Sequence, residues 1–150
     1  MNVSLFDRLK EDITAIKKEN SSLKLEVQSV SQSGQREVMD ILKDIVVVLD
    51  AFDKAKAVVT EKGWDSTEEG KKVLTRFLTV EKQLISKLSL HEVREIPIEV
   101  GEKVDDFLCS VCDTEPDPSK ENDIVISIEK KGYTYKGTVL RPVDVVIVKN

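Results

Sequence analysis

In the first 60 residues, apolar side chains recur in steps of three and four, and this repeat constrains the fold more than any other feature of the sequence. Such spacing gathers them into a narrow stripe on one face of an α-helix, as in the seam of a coiled coil. No proline precedes Pro97, so the sequence predicts one helix of about 50 residues, roughly 75 Å long. A stripe this narrow is buried only against a second helix, and a parallel homodimer is the simplest way to supply one. The expected dimer interface consists of Leu9, Ile13, Ile16, Asn20, Leu23, Val27, Val30, Ile41, Ile45, Val48 and Phe52.

Two irregularities interrupt this stripe. Asn20 stands between Ile16 and Leu23, where an apolar residue would continue the repeat. A polar residue there either specifies register and dimeric state or is simply tolerated, and both interpretations stay open. The spacing from Val30 to Val38 is eight, across the weak helix formers of residues 31–34 (SQSG). The altered spacing predicts a local unwinding of the coiled coil at that point.

A second helix is predicted after the first. Beyond Ile45 apolar residues occupy more than one face of the first helix, so additional helices must contact it there. Apolar residues return with helical spacing from Val73 to Leu88, and Ser66 with Glu69 matches a capping box. The sequence therefore predicts a helix over residues 66–90. In a dimer, two such helix pairs would form a four-helix bundle.

The connection between the helices contains two residues with alternative interpretations. Trp64 either covers the end of the bundle or anchors a partner, and the former is the simpler expectation. Gly70 lies inside the second helix, where glycine is unfavourable by about 1 kcal/mol relative to alanine. We expect it to permit a close backbone approach, made either within its own bundle or to a partner.

The last third of the chain changes to a period of two. Alternating apolar residues predict strands over residues 96–100 and 124–128, and β-branched and aromatic residues predict strands over 133–135 and 139–148. Lys136-Gly137 is typical of a tight hairpin turn, and Pro142 must lie at an edge or a bulge because it cannot donate to a ladder. Residues 113–123 are expected to form a long acidic loop. The fold class is therefore α+β, with helical residues 1–90 and a β-domain at 91–150.

Charge and composition exclude several classes of protein. The net charge is −5, and residues 91–123 carry eleven acidic against three basic side chains, which argues against a nucleic-acid-binding surface. The longest apolar runs are far shorter than the ~20 residues that cross a bilayer, so no membrane association is expected. The first eight residues lack the pattern of a secretory signal. With two cysteines, the expected location is the reducing cytoplasm.

The pattern Cys109-Ser110-Val111-Cys112 is the one enzyme-like feature. A redox pair should open a helix beside a βαβ unit, but its flanking residues indicate a strand or turn. A structural zinc ion needs four ligands, and the chain has neither a second cysteine pair nor more than one histidine. We therefore expect two small buried residues, no metal and no cofactor, with His91 at the end of the second helix. Without a nucleophile beside a base or a phosphate-binding loop, an enzyme is not expected.

Residues 131–149 (KGYTYKGTVLRPVDVVIVK) resemble the carboxyl-terminal signature of the GrpE family, the nucleotide exchange factors of DnaK-type chaperones. Residues 48–55 (VLDAFDKA) are similar to the family's V-L-D-N-L-E-R-A segment, and Glu69-Gly70 is similar to its E-G-V helix. The order of long helix, short helix and β-domain also matches. Two positions depart from the family pattern: Cys109 replaces a histidine, and Thr138 replaces a basic residue.

The resemblance implies a homodimeric co-chaperone whose β-domain acts as a wing against the ATPase domain of a DnaK-type chaperone. The wing would open the nucleotide cleft and release ADP. Two rival hypotheses stay open: a dimeric coiled-coil adaptor that has the fold but no exchange activity, and a small thiol-redox protein. For Tyr133 the alternative is a position in the β-domain core, and for Arg141 it is an internal salt bridge. The expected contacts of the wing are Lys131, Tyr133, Thr138, Arg141 and Pro142.

Overall fold

The computed structural model describes residues 4–150, so the first three residues of the stretch examined for a secretory signal lie outside it. Contacts along the chain divide it into two units, residues up to Asp40 and residues 41–150. The expected α+β class is confirmed, while the domain division at residue 90 stays a prediction. The elements are α1 (Leu5–Glu61), a 3-10 helix (Trp64–Ser66), α2 (Glu68–Leu90), β1 (Val93–Glu95), β2 (Cys109–Glu115), β3 (Val125–Lys130), β4 (Tyr133–Tyr135), β5 (Thr138–Arg141) and β6 (Val143–Val148).

The first unit contains α1 up to Asp40. The helix continues without a break through residues 31–34, so the change in spacing does not interrupt the backbone. The apolar stripe of this unit is exposed, from 42% at Val38 to 68% at Val27. Asn20 lies on the same stripe and donates its Nδ2 hydrogen bond to the carbonyl oxygen of Ile16, 3.0 Å away in its own helix. The stripe is therefore an exposed surface, apolar except at Asn20, that is available to a second helix.

The second unit begins with the last turns of α1, which carry two apolar faces. Val46 and Leu49 are buried within the chain, as the widened pattern after Ile45 predicted, and Leu42, one turn earlier, is buried as well. Ile41 and Val48, on the neighbouring face, are 54% and 50% exposed. One face thus packs inside the unit, and the other continues the exposed stripe. No helix among residues 4–150 is long and apolar enough to span a membrane.

The predicted cap of α2 is wrong by one residue. Thr67 is the N-cap, and its hydroxyl accepts a hydrogen bond from the backbone N–H of Gly70 at 3.0 Å. Ser66 instead donates to the carbonyl oxygen of Gly63 and closes the 3-10 helix. The reason is that Thr67 has the extended backbone required of a cap, with φ of −94° and ψ of 155°, whereas Ser66 lies in the preceding turn.

Gly70 permits a close approach within its own chain. A β-carbon at this position would lie 1.9 Å from the carbonyl oxygen of Trp64, so the 3-10 helix packs directly on the first turn of α2. Trp64 itself is 58% exposed, and its indole lies 5.7 Å from the ammonium group of Lys62. Of the two predicted approaches of Gly70, the intramolecular one is therefore present.

Two three-stranded sheets form the β-domain. β4 is the central strand of an antiparallel sheet in the order β1-β4-β5. β6 is central in the second, pairing parallel with β2 and antiparallel with β3. β6 is central because its Val-rich sequence is almost entirely buried, which is typical of a strand with neighbours on both edges. The core of the domain is built from Ile96, Cys109, Val125, Val143, Val145 and Ile147.

Three predicted boundaries in this region are wrong. Residues 96–100 form no strand, because Pro97 lacks an N–H and only the amide of Ile96 continues the pairing, to the carbonyl oxygen of Gly132. The predicted strand over residues 139–148 is divided at Pro142 into β5 and β6, which belong to different sheets. The acidic segment also begins as a strand, because β2 extends through Glu115 beside β6.

Candidate functional site

The hairpin between β4 and β5 forms as the sequence predicts. Lys136 and Gly137 both have left-handed backbone angles, φ of 50° and 78°, as a two-residue type I′ turn requires. The backbone N–H of Lys136 donates to the carbonyl oxygen of Glu92 at 3.0 Å, and its ammonium lies 5.2 Å from the ring of Tyr135. Thr138 follows the turn and is exposed. The turn and Thr138 therefore form an exposed edge of the β-domain.

Arg141, at the end of β5, is held by two groups of its own chain. Its Nη1 and Nη2 atoms donate to the two carboxylate oxygens of Asp50 on α1, at 2.6 and 2.7 Å. Its Nε and Nη2 atoms also donate to the carbonyl oxygen of Lys131, at 3.1 and 2.6 Å. These hydrogen bonds to Asp50 raise the pKa of the guanidinium. The internal salt bridge named as the alternative for Arg141 is thus present, and a contact of Arg141 with a partner stays a prediction.

The pair between Asp50 and Arg141 is well placed to be stable. The side chains are only 17% and 21% exposed, so water and salt screen the pair much less than a surface pair. The two parallel hydrogen bonds fix the orientation of the guanidinium relative to the carboxylate as well as the distance between them, because they define a common plane. Each hydrogen bond to a charged group contributes about 1.5–3 kcal/mol in favourable cases.

A second, more exposed set of charges lies beside this pair. The ammonium of Lys131 lies 3.7 Å from a carboxylate oxygen of Asp53 and 3.7 Å from one of Glu95. Lys56 bridges Asp53 at 2.5 Å and Glu81 at 2.9 Å. Burial alone would lower the pKa of Lys56, but its hydrogen bonds to the two carboxylates outweigh that effect and raise it. Alternating charges therefore connect α2, α1 and the β-domain.

Tyr133 occupies the core, which is the alternative stated for it. The residue is 3% exposed, and burial raises the pKa of its phenol well above the ordinary value near 10. The guanidinium carbon of Arg141 lies 5.8 Å from the ring centroid of Tyr133. Gly132 precedes Tyr133, and a β-carbon there would lie 2.6 Å from the backbone nitrogen of Val143. The KGY segment is therefore packed against the protein's own backbone.

The remaining predicted contacts of the wing are accessible. Lys131 and Pro142 are half-buried, and Thr138 is exposed. Their contact with a partner stays a prediction.

The two cysteines differ from each other. Cys109 is buried in the core, as expected, but Cys112 is exposed, so the expectation of two buried residues is wrong for Cys112. The reason is that β2 lies at the edge of its sheet, where every residue of the strand after Cys109 is exposed. Its thiol donates to the carbonyl oxygen of Val145 at 3.3 Å. Both thiols are free, and residues 4–150 contain no cluster of three or more His, Cys, Asp and Glu suited to a metal ion.

Sequence reasoning did not find the carboxylates that receive the basic side chains. Asp50, Asp53 and Glu95 were not among the predicted site residues, although the first two lie in the segment that resembles V-L-D-N-L-E-R-A. One feature of the sequence could have indicated these contacts: residues 48–55 contain acidic side chains, and residues 131–149 contain basic ones. Asp50 and Arg141 are 91 positions apart, however, and no local pattern predicts a contact over that separation.

The fold and the site together define an α+β protein in which charge pairs join a β-domain with an exposed hairpin to a helical segment. The model of the GrpE family matches residues 4–149. The chain therefore belongs to the GrpE family.

Curated relatives agree with this assignment. The chain is 31% identical over 146 residues to Protein GrpE of Alkaliphilus oremlandii, covering 97% of this chain and 71% of that protein. It is 30% identical over 129 residues to the mitochondrial GrpE protein homolog of Neurospora crassa, covering 82% of this chain and 54% of the relative. Protein GrpE of Carboxydothermus hydrogenoformans is 34% identical over 113 residues, with 75% and 54% coverage. The chain thus spans about half the length of the latter two.

Proposed function

We propose that this protein is a co-chaperone that accelerates ADP release from the ATPase domain of a DnaK-type chaperone. The observation that carries the proposal is the family match over residues 4–149. The β-domain binds the chaperone when its nucleotide cleft is open, and ADP leaves through the open cleft. Nothing in the exchange factor reacts, so it is not an enzyme in the usual sense.

The mechanism depends on a difference between two affinities. A ligand shifts an equilibrium between closed and open clefts only by the difference in its binding free energy for the two states. An exchange factor that bound both states equally would not change the rate of ADP release, however tight its binding. The β-domain must therefore fit the open cleft better than the closed one.

The exposed stripe of α1 supports a parallel homodimer. Its apolar side chains are about half exposed or more in the isolated chain. Leu9 near the start of the stripe is 56% exposed, and Ile41 further along is 54% exposed. Leu23 belongs to the stripe, whereas Leu25, two positions along, lies on another face of the helix, and both are exposed, at 51% and 68%. We expect Leu23→Glu to weaken dimerisation in sedimentation equilibrium, with Leu25→Glu as the matched control. Equal effects of the two variants would contradict the assigned seam.

The exposed hairpin supports a contact with the chaperone at Thr138. The residue follows the turn directly, and its uncharged side chain is exposed. Lys131 and Pro142 complete this surface in the proposal. We expect Thr138→Glu to raise the concentration of co-chaperone that gives half-maximal exchange. The conservative control Thr138→Ser keeps the hydroxyl and should leave that concentration unchanged.

A stopped-flow assay tests the function itself. Labelled ADP is loaded on the DnaK-type chaperone from the same organism, and its release is followed with increasing amounts of the full chain. The proposal expects a saturating acceleration. Binding without acceleration would instead identify the adaptor. The compartment stays a prediction, because one relative carries a mitochondrial name and others are bacterial.

The redox hypothesis rests on Cys109 and Cys112 alone. The proposed function expects the double variant Cys109→Ser/Cys112→Ser to retain full exchange activity, because neither thiol takes part in ADP release. Circular dichroism checks that the buried serine is tolerated. A folded double variant without exchange activity would contradict the proposal and favour a role for the thiols.

A further inference from the structure

Side-chain contacts link α1 to the β-domain. Among the described residues, no main-chain hydrogen bond joins α1 to a β-strand. The side-chain polar contacts that join them include the fork of Arg141 on Asp50 and the longer pair of Lys131 with Asp53. The first pair is short, bidentate and largely buried, whereas the second is 3.7 Å long with both side chains about a third exposed. The Asp50–Arg141 pair therefore dominates the polar link.

The hydrogen bonds of Arg141 restrict the rotation of its guanidinium as well as its distance from Asp50. Three donor atoms of Arg141 contact two fixed groups, the carboxylate of Asp50 and the carbonyl oxygen of Lys131. A planar guanidinium bound on two edges cannot turn without breaking hydrogen bonds. Because Arg141 also pairs in register with the buried Tyr133 of β4, its backbone is fixed within the sheet. Asp50 is thus connected to the whole β1-β4-β5 sheet.

Resting on the proposed function, we propose that Asp50 and Arg141 are positioning residues that keep the β-domain stiff against α1 and so convert binding into opening of the chaperone's cleft. A β-domain on a loose connection could follow the lobe of a closed cleft and bind it nearly as well as an open one. The difference in affinity between the two states would shrink, and the acceleration would shrink with it. Stiffness at this pair therefore determines the maximal rate of exchange.

The kinetic signature separates positioning from direct contact. Asp50→Asn keeps the size of the side chain and removes its charge, and Arg141→Lys keeps the charge and removes the fork. We expect both variants to lower the rate of ADP release at saturating co-chaperone by at least about fivefold, the lower end of typical coupling between sites. For Asp50→Asn the half-saturating concentration should stay within about twofold, because Asp50 is not among the expected contacts of the wing. Asp53→Asn is the matched control on the same helix and should have a smaller effect.

A distance measurement tests stiffness without the chaperone. Spin labels are placed at Lys54→Cys on α1 and Lys136→Cys at the hairpin turn, both exposed, in the Cys109→Ser/Cys112→Ser background. Dilution with unlabelled chain restricts the measured pairs to one molecule. Pulsed electron paramagnetic resonance should give a narrow distance distribution for the parent and broader ones for Asp50→Asn and Arg141→Lys. Circular dichroism and thermal melting establish that the variants are folded. If Asp50→Asn does not fold, Arg141→Lys alone is used for the comparison with the parent.

The outcomes distinguish this proposal from the proposed function. Broader distributions together with a lower maximal rate support it. Broader distributions with an unchanged maximal rate, or a lower rate with unchanged distributions, overturn it. A rise in half-saturating concentration alone would make Arg141 a contact residue and would also overturn it. If the parent chain itself does not accelerate ADP release, the proposed function fails, and the proposed coupling to cleft opening fails with it.

Discussion

Replacing Gly70 by alanine should destabilise the protein, although alanine is the better helix former. The new β-carbon would lie 1.9 Å from the carbonyl oxygen of Trp64, while real β-carbons essentially never approach a neighbour closer than 3.0 Å. The 3-10 helix must therefore move away from α2 by about 1 Å or more. This movement also disturbs the hydrogen bond between the Thr67 hydroxyl and the amide of residue 70.

The expected magnitude combines three contributions. Overpacking against backbone costs about 1–3 kcal/mol. Loss of the cap costs about 1 kcal/mol, and the higher helix propensity of alanine returns about 1 kcal/mol. The free energy of unfolding of residues 41–150 should fall by about 1–3 kcal/mol in sum. The carbonyl belongs to backbone, so no flexible side chain can absorb the clash.

Gly34→Ala is the matched control. Gly34 lies in the middle of α1, and apart from the adjoining backbone of its own helix nothing lies within 4 Å of the added carbon, so the same substitution should stabilise the helix by about 0.5–1 kcal/mol. The assay is urea unfolding followed by circular dichroism and by the fluorescence of Trp64, which is the only tryptophan and adjoins Gly70. A Gly70→Ala protein as stable as the parent would show that the contact between the 3-10 helix and α2 does not restrict this position.

The cap of α2 and the buried phenol of Tyr133 also have measurable effects on stability. Thr67→Ala should lower the free energy of unfolding by about 1 kcal/mol, and Ser66→Ala by less, because Thr67 rather than Ser66 caps α2; the reverse order in urea titrations would restore the predicted capping box. The free phenol of an unfolded chain ionises near pH ~10, whereas the pKa of folded Tyr133 is raised by burial, so stability should be intact below that pH and fall as the pH rises above it. In a Tyr135→Phe variant, phenolate absorbance should therefore appear together with loss of circular dichroism. Ionisation of Tyr133 in a fully folded chain would contradict its burial.

The elements that the sequence predicts well are those determined by neighbouring residues. The long helix follows from the spacing of its apolar residues, and α1 ends at Glu61, close to the expected position. The turn at Lys136-Gly137 follows from backbone preferences of two residues. These features need only local steric and hydrophobic information, because 3.6-residue and two-residue periods are properties of the backbone.

The errors lie where local signals compete. Ser66 and Thr67 are both good caps in isolation, and the packing of the 3-10 helix on Gly70 decides between them. The alternation of residues 96–100 is a strand pattern, but Pro97 removes the donor that a ladder needs. Pro142 ends one strand and begins another because the two strands belong to different sheets, which no alternation of apolar residues could reveal.

The helical seam, the α+β order and the resemblance to an exchange factor all follow from the sequence, because each depends on periods or short segments. Which groups the charges of the two family-like segments contact is known only from the folded chain. Arg141 was expected at a partner surface or in an internal bridge, and its fork on Asp50 settles that the bridge exists. The pairing joins residues 91 positions apart. Both side chains are largely removed from water, and a charge buried without a partner would be costly, so the two charges pair.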